Sequence, residues 1–310
     1  MPTYDITGGT RPGNGTNLFH SFGQFSVGTH DVARFANDSA LPTANILSRV
    51  TGGQPSNIYG NVSTTGFTGA NLYLINPAGV LFGPTASLNV SGSVTVSTAD
   101  YLRLADGLRF NAIPGPQDAL LSQAPVVAFG FLNSHPRPIT VQGATLDTHE
   151  ASPTANEPHR SLSLVGGNIN LSGASVKAAG GVELVSVASR GEVRAGTVPS
   201  GIASPALGTI RMVHSEVNTG DPSFHNRVSG PIVIRGGRLV MDHSTITAQL
   251  NTASGSPTNT SFGSSPITLQ LTDSIRANES HIVTHGGGFT TGTVSLQAGN
   301  AIRLTNSTVD

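Results

Sequence analysis

The chain has no cysteine and no tryptophan, and Lys177 is its only lysine. Without cysteine there is neither a disulfide nor a thiolate metal site. Charge is scarce as well: 11% of the 310 residues are charged, against roughly 25% in ordinary globular domains. The formal net charge is −1, so no electrostatic footprint for nucleic acid or an anionic membrane is present. Aromatic residues make up only 5%. No apolar run approaches the roughly 18 residues of a membrane span. Long helix formers and a charged surface, the marks of an α/β enzyme, are thus missing.

What fills the chain instead is turn formers and small polar residues, with 38 glycines and 19 prolines. Such a composition can signal disorder, but alternating Val, Leu and Ile recur throughout. The stretch 71–98 shows how they are used. Leu72 and Leu74 alternate with Tyr73 and Ile75, the period of a strand. Asn76-Pro77-Ala78-Gly79 then turns the chain, proline presetting φ and glycine accepting a positive one. Val80-Leu81-Phe82 is a second run, Gly83-Pro84 a second turn, and Ala86, Leu88 and Val90 open the next strand. Strand and turn with no helical interval is how a chain winds a parallel β-solenoid.

A repeat emerges beyond residue 139. A small residue recurs at Ala144, Ala174, Ser215, Ser244, Ser280 and Ser307, and an aliphatic two places on at Leu146, Val176, Val217, Ile246, Ile282 and Val309. Upstream, Gly166-Gly167, Gly236-Gly237 and Gly299-Asn300 stand at one register. One such coil cannot bury its apolar face; stacked coils bury a continuous column. Residues 111–138 break the pattern with five prolines and are expected to leave the stack, with Val126, Val127, Phe129 and Phe131 as an extra strand. Residues 149–160 and 250–265 read as loops. The chain stops at Asp310 in mid-coil, which is expected of a piece of a longer protein.

Four segments carry a family resemblance: 5–27 (DITGGTRPGNGTNLFHSFGQFSV), 48–60 (SRVTGGQPSNIYG), 74–93 (LINPAGVLFGPTASLNVSGS) and 97–110 (STADYLRLADGLRF). Together, and in this order, they resemble the two-partner secretion domain that opens filamentous-haemagglutinin-type exoproteins. Ala78 stands where that family has a second asparagine, and its Asn-Pro-Asn-Leu motif has no clear copy. The resemblance implies a right-handed, single-stranded parallel β-helix of the pectin-lyase-like kind. It implies an N-terminal cap over residues 1–35 and extra-helical β segments. It implies that the secretion domain spans 1–230, with 231–310 as following coils. It implies a partner, the POTRA domains of a dedicated outer-membrane barrel transporter, and a secreted or cell-surface protein whose signal peptide lies outside this chain. Asn76, Pro77, Gly79, Asn17, Phe19, Gly52 and Gly53 are the residues expected to serve recognition or folding. Asn76 has two readings: a turn residue bonding nearby backbone, or a direct contact with the transporter. Residues 1–35 also read as an ordinary edge hairpin with core phenylalanines.

Catalytic constellations are weak. Asp242-His243-Ser244 holds the residue types of a hydrolase triad, but strand neighbours point to opposite faces. His281 and His285 share a strand face without a third ligand type nearby. The acids are scattered, unlike the paired carboxylates of carbohydrate-active β-helices. The expectation is a monomer without cofactor, metal or enzymatic activity, the N-terminal secretion domain of a large adhesin-like exoprotein. The alternatives are a carbohydrate-active β-helix enzyme and an autotransporter-type adhesive passenger.

Overall fold

A computed structural model describes residues 1–149, 159–195, 206–220, 229–249, 265–285 and 292–310. The loops expected at 149–160 and 250–265 fall almost wholly outside them. The described residues are all-β, apart from two 3-10 turns at Pro12–Asn14 and Pro116–Leu120. They form a parallel β-helix with three strands to each coil.

The first face stacks Asn17–Phe22, Asn45–Val50, Asn71–Ile75, Val94–Ser97, Leu162–Gly166 and Val182–Ser186. It continues through the first halves of Ile232–Asp242 and Ile267–Asn278 to Val294–Ala298. The second face runs from Ser56–Ile58 and Val80–Phe82 through Ile139–Gln142, Ile169–Ser172 and Thr209–Val213. It then takes the second halves of the two long strands and ends at Ala301–Thr305. The third face begins with Thr3–Ile6, Val32–Phe35, Asn61–Ser63 and Ser87–Asn89. It resumes at Thr145–Asp147 and runs to Thr308–Val309.

Strand alternation turns every second residue inward. On the third face the repeat of the sequence becomes a hydrogen-bonded register, with Leu146, Val176, Val217, Ile246 and Ile282 all buried in one column. Val309 ends it, 37% exposed. The glycine pairs align less simply. Counting from the strand before, Gly236 stands opposite Leu271 and, one coil on, Ala298. Counting from the strand after, Leu239 stands over Ile275 and Ile302. A single extra residue, inserted in Ile267–Asn278 at the bend between the first and second faces, separates the two counts. Gly299-Asn300 therefore matches Gly236-Gly237 only from its downstream side.

The small-residue position does more than permit a close turn. The residue before it sits at positive φ in Gly143, Gly173, His214, His243, Glu279 and Asn306. This left-handed step turns the next amide toward the following coil. There a serine hydroxyl receives it: Ala174 donates to Ser215 Oγ, Ser215 to Ser244 Oγ, Ser244 to Ser280 Oγ and Ser280 to Ser307 Oγ, each at 3.1 Å. Each hydroxyl donates in turn to the carbonyl two residues back. The same corner corrects an expectation. Alternation fails at His243, whose Nδ1 lies 3.0 Å from Asp242 Oδ1, so the neighbours do meet. Ser244 still completes no triad, because its hydroxyl belongs to this ladder.

The excursion starts earlier than its prolines indicate. Its first strand is Tyr101–Leu104, within 98–138, and it pairs antiparallel with Arg109–Asn111 and Val126–Phe131. The fourth strand, Gly191–Arg194, comes from a second insertion at the same corner, between the first and second faces. This extra-helical sheet covers the outside of the first face. Leu102, Leu104, Phe110, Phe129 and Phe131 bury a second core against Phe19, Leu47, Ile75, Val165 and Val185.

At the N-terminal end, Thr10 bridges antiparallel to Phe19 and so shields part of the first strand edge. Beneath it Phe22, Phe25 and Phe35 pack together with His20. The His20 ring is buried and its Nε2 has no hydrogen-bond partner. Burial first, then the Arg11 charge, pulls its pKa to about 4, against a smaller opposing pull from Asp38. Above pH about 6.5 folded and unfolded chains both hold it neutral. Below that the unfolded chain binds the proton first, so stability falls between pH 6.5 and 4 by about 3 kcal/mol. Denaturation midpoints measured across that window should fall, and His20→Leu should remove most of the slope.

Candidate functional site

The four family segments converge on the corner where the first face passes to the second. The turn at 51–55 ends the strand Asn45–Val50, and the Asn76–Gly79 turn lies one coil further along. The excursion leaves from the next coil.

Asn76 is fully buried. Its Nδ2 donates to Gln54 O at 2.9 Å and to Ser56 Oγ at 3.0 Å, while its Oδ1 accepts from Ala78 N–H at 3.0 Å. One side chain thus shapes its own turn and ties it to the turn of the coil before. Pro77 is half-buried at the outside of the turn. Gly79 closes it at φ 112°, and its carbonyl accepts from Ser56 N–H. Gly52 is required by proximity: a Cβ there would lie 2.1 Å from the Gly23 carbonyl oxygen of the previous coil. Gly53 follows at φ 71°. Replacing Asn76 with alanine strands the Ser56 and Ala78 groups in a dry corner, and should cost about 2 kcal/mol in denaturant unfolding. A cost near zero would show that these bonds do not hold the corner.

Asn17 and Phe19 belong to the excursion's anchorage rather than to the turns. Asn17 is buried, and its Nδ2 donates to Ser122 O and Ala124 O, both at 3.0 Å. Its Oδ1 accepts from Asn45, whose Oδ1 accepts from Asn71, whose Oδ1 accepts from Ser93 N–H. This is an asparagine ladder over three coils. Phe19 packs on Phe110 with ring centroids 5.0 Å apart.

Sequence reading missed the strongest clamp. Arg49 is buried and binds Asp118 with two hydrogen bonds, of 3.0 and 2.8 Å. Its Nε donates to Ser21 Oγ, Nη1 also reaches Asn111 O, and the guanidinium lies 4.7 Å from the Phe110 ring centre. A second clamp holds the far strand: Glu192 accepts from Tyr101 Oη at 2.7 Å and Arg103 Nε at 2.9 Å. Burial, then Glu192, pushes the Tyr101 hydroxyl up to about 12. At the base, Thr98 Oγ1 donates to Arg137 O and accepts from Gly167 N–H, pinning the two ends of the excursion together. The asparagine ladder had a signal, since Asn17, Asn45 and Asn71 each open a first-face strand at coil spacing. Arg49 and Asp118 had none, because nothing local joins residues 69 apart.

The arrangement offers a buried, cross-braced corner rather than a reactive cleft. Among the described residues no group of three or more His, Asp or Glu side chains could hold a metal ion. His281 Nδ1 is taken up by Thr308 Oγ1 at 2.7 Å. These features define a class: a capped parallel β-helix bearing an extra-helical sheet braced at one motif-rich corner.

The family model of the TPS secretion domain matches residues 2–218, and the chain belongs to that family. It is therefore the secretion domain of a large exoprotein, exported across an outer membrane with a transporter as its partner. The solved HMW1 secretion domain from Haemophilus influenzae is similar to it at 17% identity, over 97% of this chain and 94% of that one, with a TM-score of 0.42. No curated protein matches.

Proposed function

We propose that POTRA domains of a cognate barrel transporter recognise this chain while it is extended, and that the motif corner then nucleates β-helix folding at the cell surface. The observation that carries the reading is the convergence of the four family segments on one buried corner. An extended chain can add a strand to a sheet edge of the transporter, main-chain bonds supplying affinity and side-chain pockets selectivity. Coil burial outside the cell then opposes return without a nucleotide or cofactor. In this reading Asn76, Pro77, Gly79, Gly52 and Gly53 form the nucleus, while Asn17 and Phe19 fasten the excursion to it. The secretion unit is residues 1–230 and acts as a monomer; 231–310 are following coils. The domain is not an enzyme, and the exoprotein it leads is adhesin-like.

The test is export. Given a signal peptide, residues 1–230 should reach the medium only when the transporter is present, and residues 231–310 should not. Export without the transporter, or equal export of the two pieces, would sink the reading. Asn76→Ala separates nucleus from contact: lost stability with slowed export marks a folding role, and lost export at full stability marks a contact.

A further inference from the structure

We propose that the outer surface of the extra-helical sheet is a docking surface for a carboxylate-bearing extended segment of another protein. The pairing of its four strands sets Arg109 opposite Arg103, Arg103 opposite Ala128, and Ala128 opposite Arg194. Three arginines thus occupy one cross-strand row, on the side facing away from the second core. Like charges directly opposite each other destabilise a sheet, so such a row is costly unless something offsets it. Glu192 offsets it in part, at 2.9 Å from Arg103 and 3.8 Å from Arg109. The outward-facing side chains of these rows then leave two positive charges unmatched.

The row is also shaped. The Arg109 guanidinium lies over the Tyr101 ring, 4.2 Å from its centre. That ring in turn lies on Gly130, where a Cβ would sit 1.9 Å from it. Arg109 and Arg194 are exposed, and among the described residues the Arg194 side chain makes no hydrogen bond or ion pair. Three strand spacings separate Arg109 from Arg194, about 14 Å. Side chains on one face of an extended segment recur at about 7 and 14 Å, so alternate glutamates or aspartates match the row. Two unmatched charges suit two or three carboxylates. They are too few for a densely sulfated polymer. Glu192 shows the recognition chemistry already in place.

The probe is a nine-residue peptide with glutamates at three alternate positions, titrated against the full chain at moderate salt. Its glutamine counterpart is the control. Arg109→Gln with Arg194→Gln should weaken binding at least tenfold and leave the melting transition unchanged. Arg276 and Arg303, exposed neighbours on the second face, supply the comparison for generic charge. Their double substitution to glutamine should change binding less than twofold. The inference is overturned by no binding of the glutamate peptide, by equal losses in the two double variants, or by tighter binding of a heparin-derived oligosaccharide at the same salt.

Discussion

Val176→Asp should abolish cooperative unfolding, or lower stability by about 4 kcal/mol or more. Val176 is fully buried between Leu146 and Val217 on adjacent coils. A carboxylate there has no cation and no free donor within the column, so it is either buried charged or forced to protonate. Each route belongs to the small set of changes with very large costs. Val176→Ala, which removes only apolar surface, should cost about 2 kcal/mol. Chemical denaturation of both variants gives the comparison. Equal costs would mean that the site relaxes open to water, and that the column is not a continuous core.

The second large effect lies on the other side of the first face. Arg49→Ala should cost about 3–4 kcal/mol, because it leaves the Asp118 carboxylate and the Asn111 carbonyl facing each other without their shared cation. Arg49→Lys should recover little, since one ammonium cannot serve Ser21, Asn111 and Asp118 together. The loss should be local as well as global. Limited proteolysis of Arg49→Ala should cut first within 98–138, while the stacked coils stay resistant. A cost below 1 kcal/mol, or cleavage no faster than in the parent chain, would remove Arg49 as the fastening of the extra-helical sheet.

Legibility differed sharply between these two regions. The third-face column could be read in advance because one coil repeats the next: a small residue, a spacer and an aliphatic recur, and Val176 aligns with Val217 by inspection. The turn at Asn76–Gly79 was legible for the same local reason, since proline and glycine announce it. The role of the small residue was only half visible. Serine at Ser215, Ser244 and Ser280 reads as small, while its hydrogen bonds depend on a left-handed residue before it and on the coil that follows. The extra-helical sheet began before its prolines because Tyr101–Leu104 alternates like any first-face strand. Only the antiparallel partner Val126–Phe131 distinguishes it. The Arg49–Asp118 clamp was invisible, being a meeting of distant segments that neither period nor motif encodes.

The serine ladder has a direction. The amide of Ala174 is completed by Ser215, that of Ser215 by Ser244, and that of Ser244 by Ser280. At this corner each small residue's amide is therefore completed by the coil that follows, while the next residue's amide, Glu216 on Ala174 O or Thr245 on Ser215 O, is completed by the coil before. Growth from the N-terminal end always carries one unfilled donor at its front, and the arriving coil both fills it and presents the next. Growth from the opposite end would instead present the serine hydroxyls as waiting acceptors, with the amides of Glu216, Thr245 and His281 as waiting donors. Winding forward therefore fills one waiting serine-ladder donor with every turn added.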